Sequence, residues 1–144
     1  MPSDEFDVTT WLGLPAPQRV AEPELRLADA VRRGFTVPIV ERLVREGWLT
    51  TADVDRLILP RRTLAHRKQR RQRLTRDESD RLARVARVLA LAEETFGDRE
   101  AARTWLRRSN RALAGQAPLE LLDTDGGARA VEAVLVRVEH GVFE

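Results

Sequence analysis

Apolar positions recur at intervals of three and four along nearly the whole chain, the spacing of helices that each bury one face. Leu25, Ala28 and Val31, with Pro23 in the first turn and Gly34 as a stop, predict a helix over 22–33. Ile39, Val40, Leu43 and Val44 predict a second over 38–46, stopped by Gly47. Trp48 follows between apolar helices in an aromatic-poor chain and reads as core. Thr50 with Asp53 three positions on resembles a capping box and opens a short third helix through Val54, Leu57 and Ile58. Leu59 and Pro60 make a tight turn, and 61–70 continues as a helix with one obvious inward residue, Leu64. Thr75 with Glu78 is a second capping box, opening a long helix whose stripe of Leu82, Val85, Leu89, Ala92 and Phe96 runs to Gly97.

Beyond Gly97, Asp98 is placed to cap a helix with Ala101, Ala102, Trp105 and Leu106 on its apolar side. Regularity breaks around Gly115, Pro118 can start the short segment 119–122, and Thr124 or Asp125 caps the last helix. In that helix Ala128, Val131, Val134, Leu135 and Val138 keep helical spacing up to Gly141; the alternation of Val134, Val136 and Val138 would also allow a strand, and helix is preferred. The fold class expected is all-α. Residues 1–20, with Pro2, Gly13, Pro15 and Pro17 around Trp11, Leu12 and Leu14, read as a mobile arm; 21–97 reads as a helix-turn-helix region and 98–144 as a small helical domain.

Composition then removes several function classes. At 144 residues and 42% apolar content the chain can bury a core. No run approaches the roughly 18 apolar residues of a membrane span, and the first residues lack the basic and apolar regions of a signal peptide, so a cytoplasmic location is expected, away from membranes. There is no cysteine, and the two histidines, His66 and His140, stand far apart, which leaves no metal site in view. Glu93 and Glu94 are adjacent and point about 100° apart on a helix, a poor catalytic pair. Neither a glycine-rich phosphate loop nor a nucleophile with its base is found, so no enzyme and no cofactor are expected.

Charge changes the picture more. Eight of the 25 Lys and Arg residues fall within positions 61–76, where no acid sits, leaving 17 basic against 23 acidic residues elsewhere, a balance of −6 beneath the formal +2. That polarity is a footprint for a polyanion. A charge run can also be a merely solvated face, but here it coincides with a helix-turn-helix pattern. On a helical wheel Arg62, Ala65, His66, Gln69 and Arg73 gather opposite Leu64, and these residue types can read base edges: Arg on guanine, Gln on adenine, a methyl on thymine. Lys68, Arg70 and Arg71 flank that face and suit phosphates. Arg61, Thr63 and Arg67 complete the candidate DNA-binding set. A reader of this size gains affinity as a homodimer on two half-sites; Val85, Leu89 and Phe96, or Val131 and Leu135, could serve as its interface or simply as core.

The block Ala-Arg-Thr-Trp-Leu-Arg-Arg-Ser-Asn-Arg-Ala-Leu from Ala102, then Gly115 with Pro118-Leu119-Glu120-Leu121-Leu122, Gly127-Ala128-Arg129-Ala130-Val131-Glu132 and Glu139-His140-Gly141-Val142-Phe143, resembles the C-terminal toxin-binding domain of the Xre/MbcA/ParS antitoxins. Arg61-Arg62-Thr63-Leu64 and Leu89-Ala90-Leu91-Ala92-Glu93-Glu94 resemble the family's Xre-like DNA-binding half. The proline-bearing arm before residue 21 and Gln116-Ala117 depart from the family pattern.

The resemblance implies an antitoxin that is no enzyme, forms dimers, represses its own operon through operator DNA, and covers the NAD pocket of a RES-domain toxin that consumes NAD or transfers ADP-ribose. A stand-alone helix-turn-helix regulator is the alternative. On this reading Trp105, Asn110, Leu113, His140, Gly141, Val142, Phe143 and Glu144 are candidate toxin-binding residues. Gly141 can leave the last helix in a left-handed turn; Val142 and Phe143 would place apolar bulk beyond it, and the two carboxylates of Glu144 could mimic a pyrophosphate. Val142 and Phe143 could instead fold back over their own helix end, and Trp105 could be core as well as contact.

Overall fold

Side chains that seal helix ends account for where most elements begin. The structure, a computed structural model, describes residues 6–15 and 22–141. In order these form helices α1 (Val8–Trp11), α2 (Pro23–Arg33), α3 (Val37–Arg45), α4 (Thr51–Leu57), α5 (Arg61–Gln69), α6 (Arg76–Phe96) and α7 (Arg99–Arg107), two 3-10 turns (Arg111–Leu113 and Pro118–Leu121), and α8 (Asp125–Glu139). Both capping boxes are present. Thr50 Oγ1 accepts the Asp53 N–H while Asp53 returns a carboxylate oxygen to the Thr50 N–H; Thr75 and Glu78 do the same at the start of α6. Asp98 caps α7 through the Ala101 N–H, and of the two candidates at α8 it is Thr124 whose hydroxyl accepts the Gly127 N–H.

The chain divides into two compact units, one through Ala86 and one from Arg87, so the division falls inside α6 and not at Gly97 where the helix ends. The helix stop was legible, but a stop in one helix is not a boundary between cores. In the first unit Phe35, Val40, Leu43, Trp48, Leu49, Leu57, Ile58, Leu59, Leu82 and Val85 are buried. In the second, Leu89, Ala92, Ala102, Leu106, Leu113, Leu119, Leu122, Val131 and Leu135 are buried, and α7 and α8 both pack on the turn Pro118–Leu121. The strand alternative for α8 fails on this pattern: Val134 is buried while Val136, two positions on, is 43% exposed, as a helix turning 100° per residue requires. Val85, Leu89, Val131 and Leu135 are wholly enclosed by their own chain. Those four are core, while Phe96, the remaining candidate for self-association, is half-buried with its ring against Trp105.

The described part of the N-terminal segment departs from the mobile arm expected. Asp7 caps α1 by accepting the Thr9 N–H at 3.0 Å and pairs with Arg26 at 2.6 Å. Val8 and Leu12 are buried, and the Trp11 ring meets Trp48 edge-on with centroids 5.5 Å apart. Burial alone would raise the Asp7 carboxyl pKa, but hydrogen bonds from the Thr9 and Thr10 hydroxyls and amides outweigh it and hold it below its ordinary value. A single turn repeats no period, so its apolar face could not be recognised by spacing. The rest of the expected arm, 1–5 and 16–20, lies outside the described residues.

Neighbouring glycines in α8 give a test of this packing. A Cβ on Gly127 would overlap the Leu121 carbonyl oxygen, whereas one on Gly126 would meet nothing. Gly127→Ala should therefore cost more than about 2 kcal/mol, while Gly126→Ala should stabilise by about 0.5–1 kcal/mol, both read from urea unfolding. Equal effects of the two would contradict the close approach of α8 to the preceding turn.

Candidate functional site

The basic stretch becomes α5 because its start is tied to α4 and its end is closed by bonds of its own backbone. At its start the Arg61 N–H donates to Asp55 Oδ1 of α4 at 2.7 Å, satisfying one of the unpaired amides of a helix N-terminus, and the Arg61 guanidinium reaches Thr51 Oγ1 at 3.2 Å. Leu57, Ile58 and Leu59 are buried in the α4–α5 turn, and Arg81 of α6 donates through Nε to the Ile58 carbonyl at 2.7 Å. At its end the Gln72 N–H bonds to the Arg67 carbonyl and the Arg71 N–H to the Lys68 carbonyl, a Schellman closure with Arg71 in the left-handed region at φ +54°. A glycine would normally sit there, since a side chain in that conformation costs about 1 kcal/mol.

No residue of α5 is fully buried. Thr63, Leu64 and Arg67 are half-buried and form its inner side, while Arg62, Ala65, His66 and Gln69 line the outer one together with Arg70. Four of the five residues expected on the base-reading face are therefore brought together. The fifth, Arg73, is not, because the helix ends at Gln69 and the turn at Arg71 carries the chain away; its Nη1 donates to the Gly34 carbonyl at 2.8 Å. Arg67 is also corrected. Its Nε and Nη2 meet Glu78 Oε1 and Oε2 at 3.2 and 3.0 Å, a bidentate pair whose side chains are 20% and 10% exposed, so this guanidinium holds α5 to α6 and is not offered to a phosphate. Lys68 contacts Glu41 of α3 at 2.6 Å but is 65% exposed. An exposed pair of this kind contributes at most about 1 kcal/mol and can be exchanged for a phosphate.

Sequence reading missed Glu78 as a partner of this site. The spacing shows only its capping role, and in the structure one carboxylate both caps α6 and holds Arg67. Burial would raise its pKa, but hydrogen bonds from Arg67 and Thr75 and the Arg67 charge outweigh burial and hold it below its ordinary value. The neighbouring Ser79, wholly buried, accepts the Phe35 N–H at 3.0 Å, and the Leu74 N–H donates to the Phe35 carbonyl at 2.9 Å. Gly34 makes this crossing close: at φ +87°, a Cβ there would stand 2.5 Å from the Leu74 carbonyl oxygen.

In the second unit the candidate toxin-binding residues separate. Trp105 is half-buried with its ring tilted against Phe96, centroids 5.5 Å apart. Leu113 is 6% exposed and belongs to the core, so it does not offer a contact. Asn110 is half-buried, and its Oδ1 accepts the Ala112 N–H at 2.9 Å, which makes it the cap of the first 3-10 turn. His140 and Gly141 are exposed at the end of α8, with Gly141 at φ +77° as a helix exit. Val142, Phe143 and Glu144 lie outside the described residues. Among the described residues no three His, Cys, Asp or Glu side chains gather as a metal site, and no helix is long and apolar enough to cross a membrane.

Comparison with known proteins agrees with this division. Residues 26–87 match the family described as the antitoxin Xre-like helix-turn-helix domain, and residues 91–141 match the antitoxin Xre/MbcA/ParS C-terminal toxin-binding domain. A protein of Pseudomonas putida named Antitoxin Xre is 39% identical over 118 residues, covering 82% of this chain and 74% of its own length. Proteins of the same name from Yersinia enterocolitica and Photorhabdus laumondii are 34% identical over 134 residues (92% of this chain, 87% of theirs) and 32% over 114 (78% and 77%).

The double role of Glu78 has measurable consequences. Glu78→Ala removes a cap and leaves Arg67 half-buried without its anion, which should cost about 2–4 kcal/mol in denaturant unfolding. Because the folded pKa is depressed, the stabilisation is complete above the unfolded value near about 4.3 and is lost as pH falls through the folded value. Wild-type stability should accordingly fall more steeply below about pH 4.3 than that of Glu78→Gln. Parallel curves for the two would remove Glu78 from the acid response.

Proposed function

The chain belongs to the Xre antitoxin family, and on that premise we propose that it neutralises a RES-domain toxin encoded beside it and represses the operon of the pair by binding its operator as a homodimer. The observation that carries the reading is the coincidence of two divisions: the helix-turn-helix match ends at residue 87 and the toxin-binding match begins at 91, and the two compact units meet between Ala86 and Arg87. The family is one of antitoxins, so the chain is not an enzyme.

In this reading α5 enters the major groove. Arg62 bridges a guanine, Gln69 pairs with an adenine, Ala65 meets a thymine methyl, and His66 completes the base-reading face. Arg70, Arg71 and Lys68 hold phosphates and set the register, with Arg61 and Thr63 at the start of the helix. Two copies would bind half-sites about one helical turn apart. The unit from Arg87 covers the NAD pocket of a toxin that consumes NAD or transfers ADP-ribose, with Trp105 at its edge and the tail His140, Gly141, Val142, Phe143 and Glu144 filling the pocket. Co-expression with the product of the neighbouring reading frame tests both halves: a complex that restores growth and cellular NAD supports the reading, and a chain that binds operator but no neighbouring product leaves a stand-alone regulator.

Two further measurements resolve the roles. Arg62→Ala should cost about 1–3 kcal/mol on operator and little on random DNA, whereas Arg70→Ala should weaken both alike and reduce the salt slope by about 1. Equal losses on both DNAs would take Arg62 out of base readout. Deleting residues 142–144 should leave folding and operator binding intact while NAD consumption by the toxin resumes; a truncated chain that still suppresses it fully would move inhibition to the domain surface.

A further inference from the structure

The second unit carries an acid-free stretch of its own. Between residues 101 and 119 there are four arginines, Arg103, Arg107, Arg108 and Arg111, and no Asp or Glu; the remainder of 87–144 has 4 basic and 10 acidic residues, a balance of −6. The middle of this stretch is a loop closed on itself. The Asn110 N–H donates to the Gln116 carbonyl at 3.1 Å, the Gly115 N–H to the Asn110 carbonyl at 2.9 Å, and Ser109 Oγ to the Gly115 carbonyl at 2.6 Å. Asn110 Oδ1 holds the Ala112 N–H inside the ring, and Leu113 anchors it in the core. The chain turns back through two consecutive left-handed residues, Ala114 at φ +56° and Gly115 at φ +82°. Ala114 adopts this conformation although it carries a side chain, so the surrounding bonds over-determine the loop. Arg108, Ser109, Arg111, Ala112, Ala114, Gly115 and Gln116 are exposed around its rim.

We propose that this ring, residues 108–116, is a preformed docking element of the toxin-binding unit, and that Arg108 and Arg111 on it engage carboxylates on an acidic surface of the toxin. The proposal rests on the reading that this unit binds a toxin, and it deepens that reading by naming the element and the chemistry of the face it meets. Guanidinium groups match carboxylates bidentately, and a loop already locked by its own hydrogen bonds loses little freedom on binding. Neither arginine makes a side-chain hydrogen bond or ion pair among the described residues. Leu113 and Asn110, expected from sequence as contacts, then act from beneath: one anchors the ring and the other pins it.

The test uses the full-length chain and the full-length toxin from the neighbouring frame, with affinity measured by calorimetry at about 50 and 500 mM NaCl. The double reversal Arg108→Glu/Arg111→Glu should weaken toxin binding at least about tenfold at low salt, with the gap narrowing at high salt. Thermal unfolding and operator affinity should be unchanged, because both side chains are exposed and outside the basic helix. The matched reversal Arg129→Glu/Arg137→Glu, on exposed positions of α8, should have the smaller effect. Toxin affinity unchanged within about twofold, equal losses for both reversals, or a loss confined to operator DNA would each overturn the proposal, the last making the ring a DNA contact. A wild-type chain that forms no complex with the toxin at all would instead overturn the proposed function and this element with it.

Discussion

The first turns of α6 hold the unit through Ala86 together. Glu78 caps its own helix and grips Arg67 of α5, Ser79 takes the amide of Phe35 from the link between α2 and α3, and Arg81 closes the carboxyl end of α4 at Ile58. The link between α2 and α3, the end of α4 and the preceding helix α5 thus meet one helical turn, each through a polar group that would otherwise be buried without a partner. Such bonds add little net energy apiece, but removing one partner exposes the full desolvation cost of the other. The helix start therefore specifies the arrangement as much as it stabilises it.

This constraint explains how a helix with so little apolar surface keeps a defined place. α5 buries none of its residues completely. Its inner side rests on half-buried Thr63, Leu64 and the stem of Arg67, and its ends are held by Asp55 and by the Schellman closure. An apolar face would have fixed it by burial and left less of its circumference for charge. Polar ties achieve the same position while Arg62, His66, Gln69 and Arg70 stay in solvent, which the proposed contacts to base edges and phosphates both require.

The unit from Arg87 follows the other strategy. Its helices are joined by ordinary apolar packing, with Leu89, Leu106, Leu122, Val131 and Leu135 enclosed, and the ring of residues 108–116 is closed by its own polar bonds. The left-handed conformation of Ala114 parallels that of Arg71 in the first unit: each is a non-glycine residue held at positive φ beside exposed arginines. Local strain at such positions persists because neighbouring bonds leave no alternative path for the chain.

Much of this was legible in the residues. Periodicity and caps located α2 to α8, because three- and four-residue spacing and the pairs Thr50/Asp53 and Thr75/Glu78 are local and have a single physical meaning. The basic stretch and its outward face were legible for the same reason: an uninterrupted helix makes angular position a function of sequence number. That rule stopped at Gln69, so Arg73 was misplaced, and a one-turn helix such as α1 showed no period to read. What only the tertiary structure decided is which charged side chains are engaged inside the protein. Arg67 finds Glu78 11 residues away, Lys68 finds Glu41 27 away, and Arg73 finds the Gly34 carbonyl 39 away. Such pairs form because packing brings the groups together after the helices exist; one arginine looks like another in sequence until a buried carboxylate takes it out of solvent.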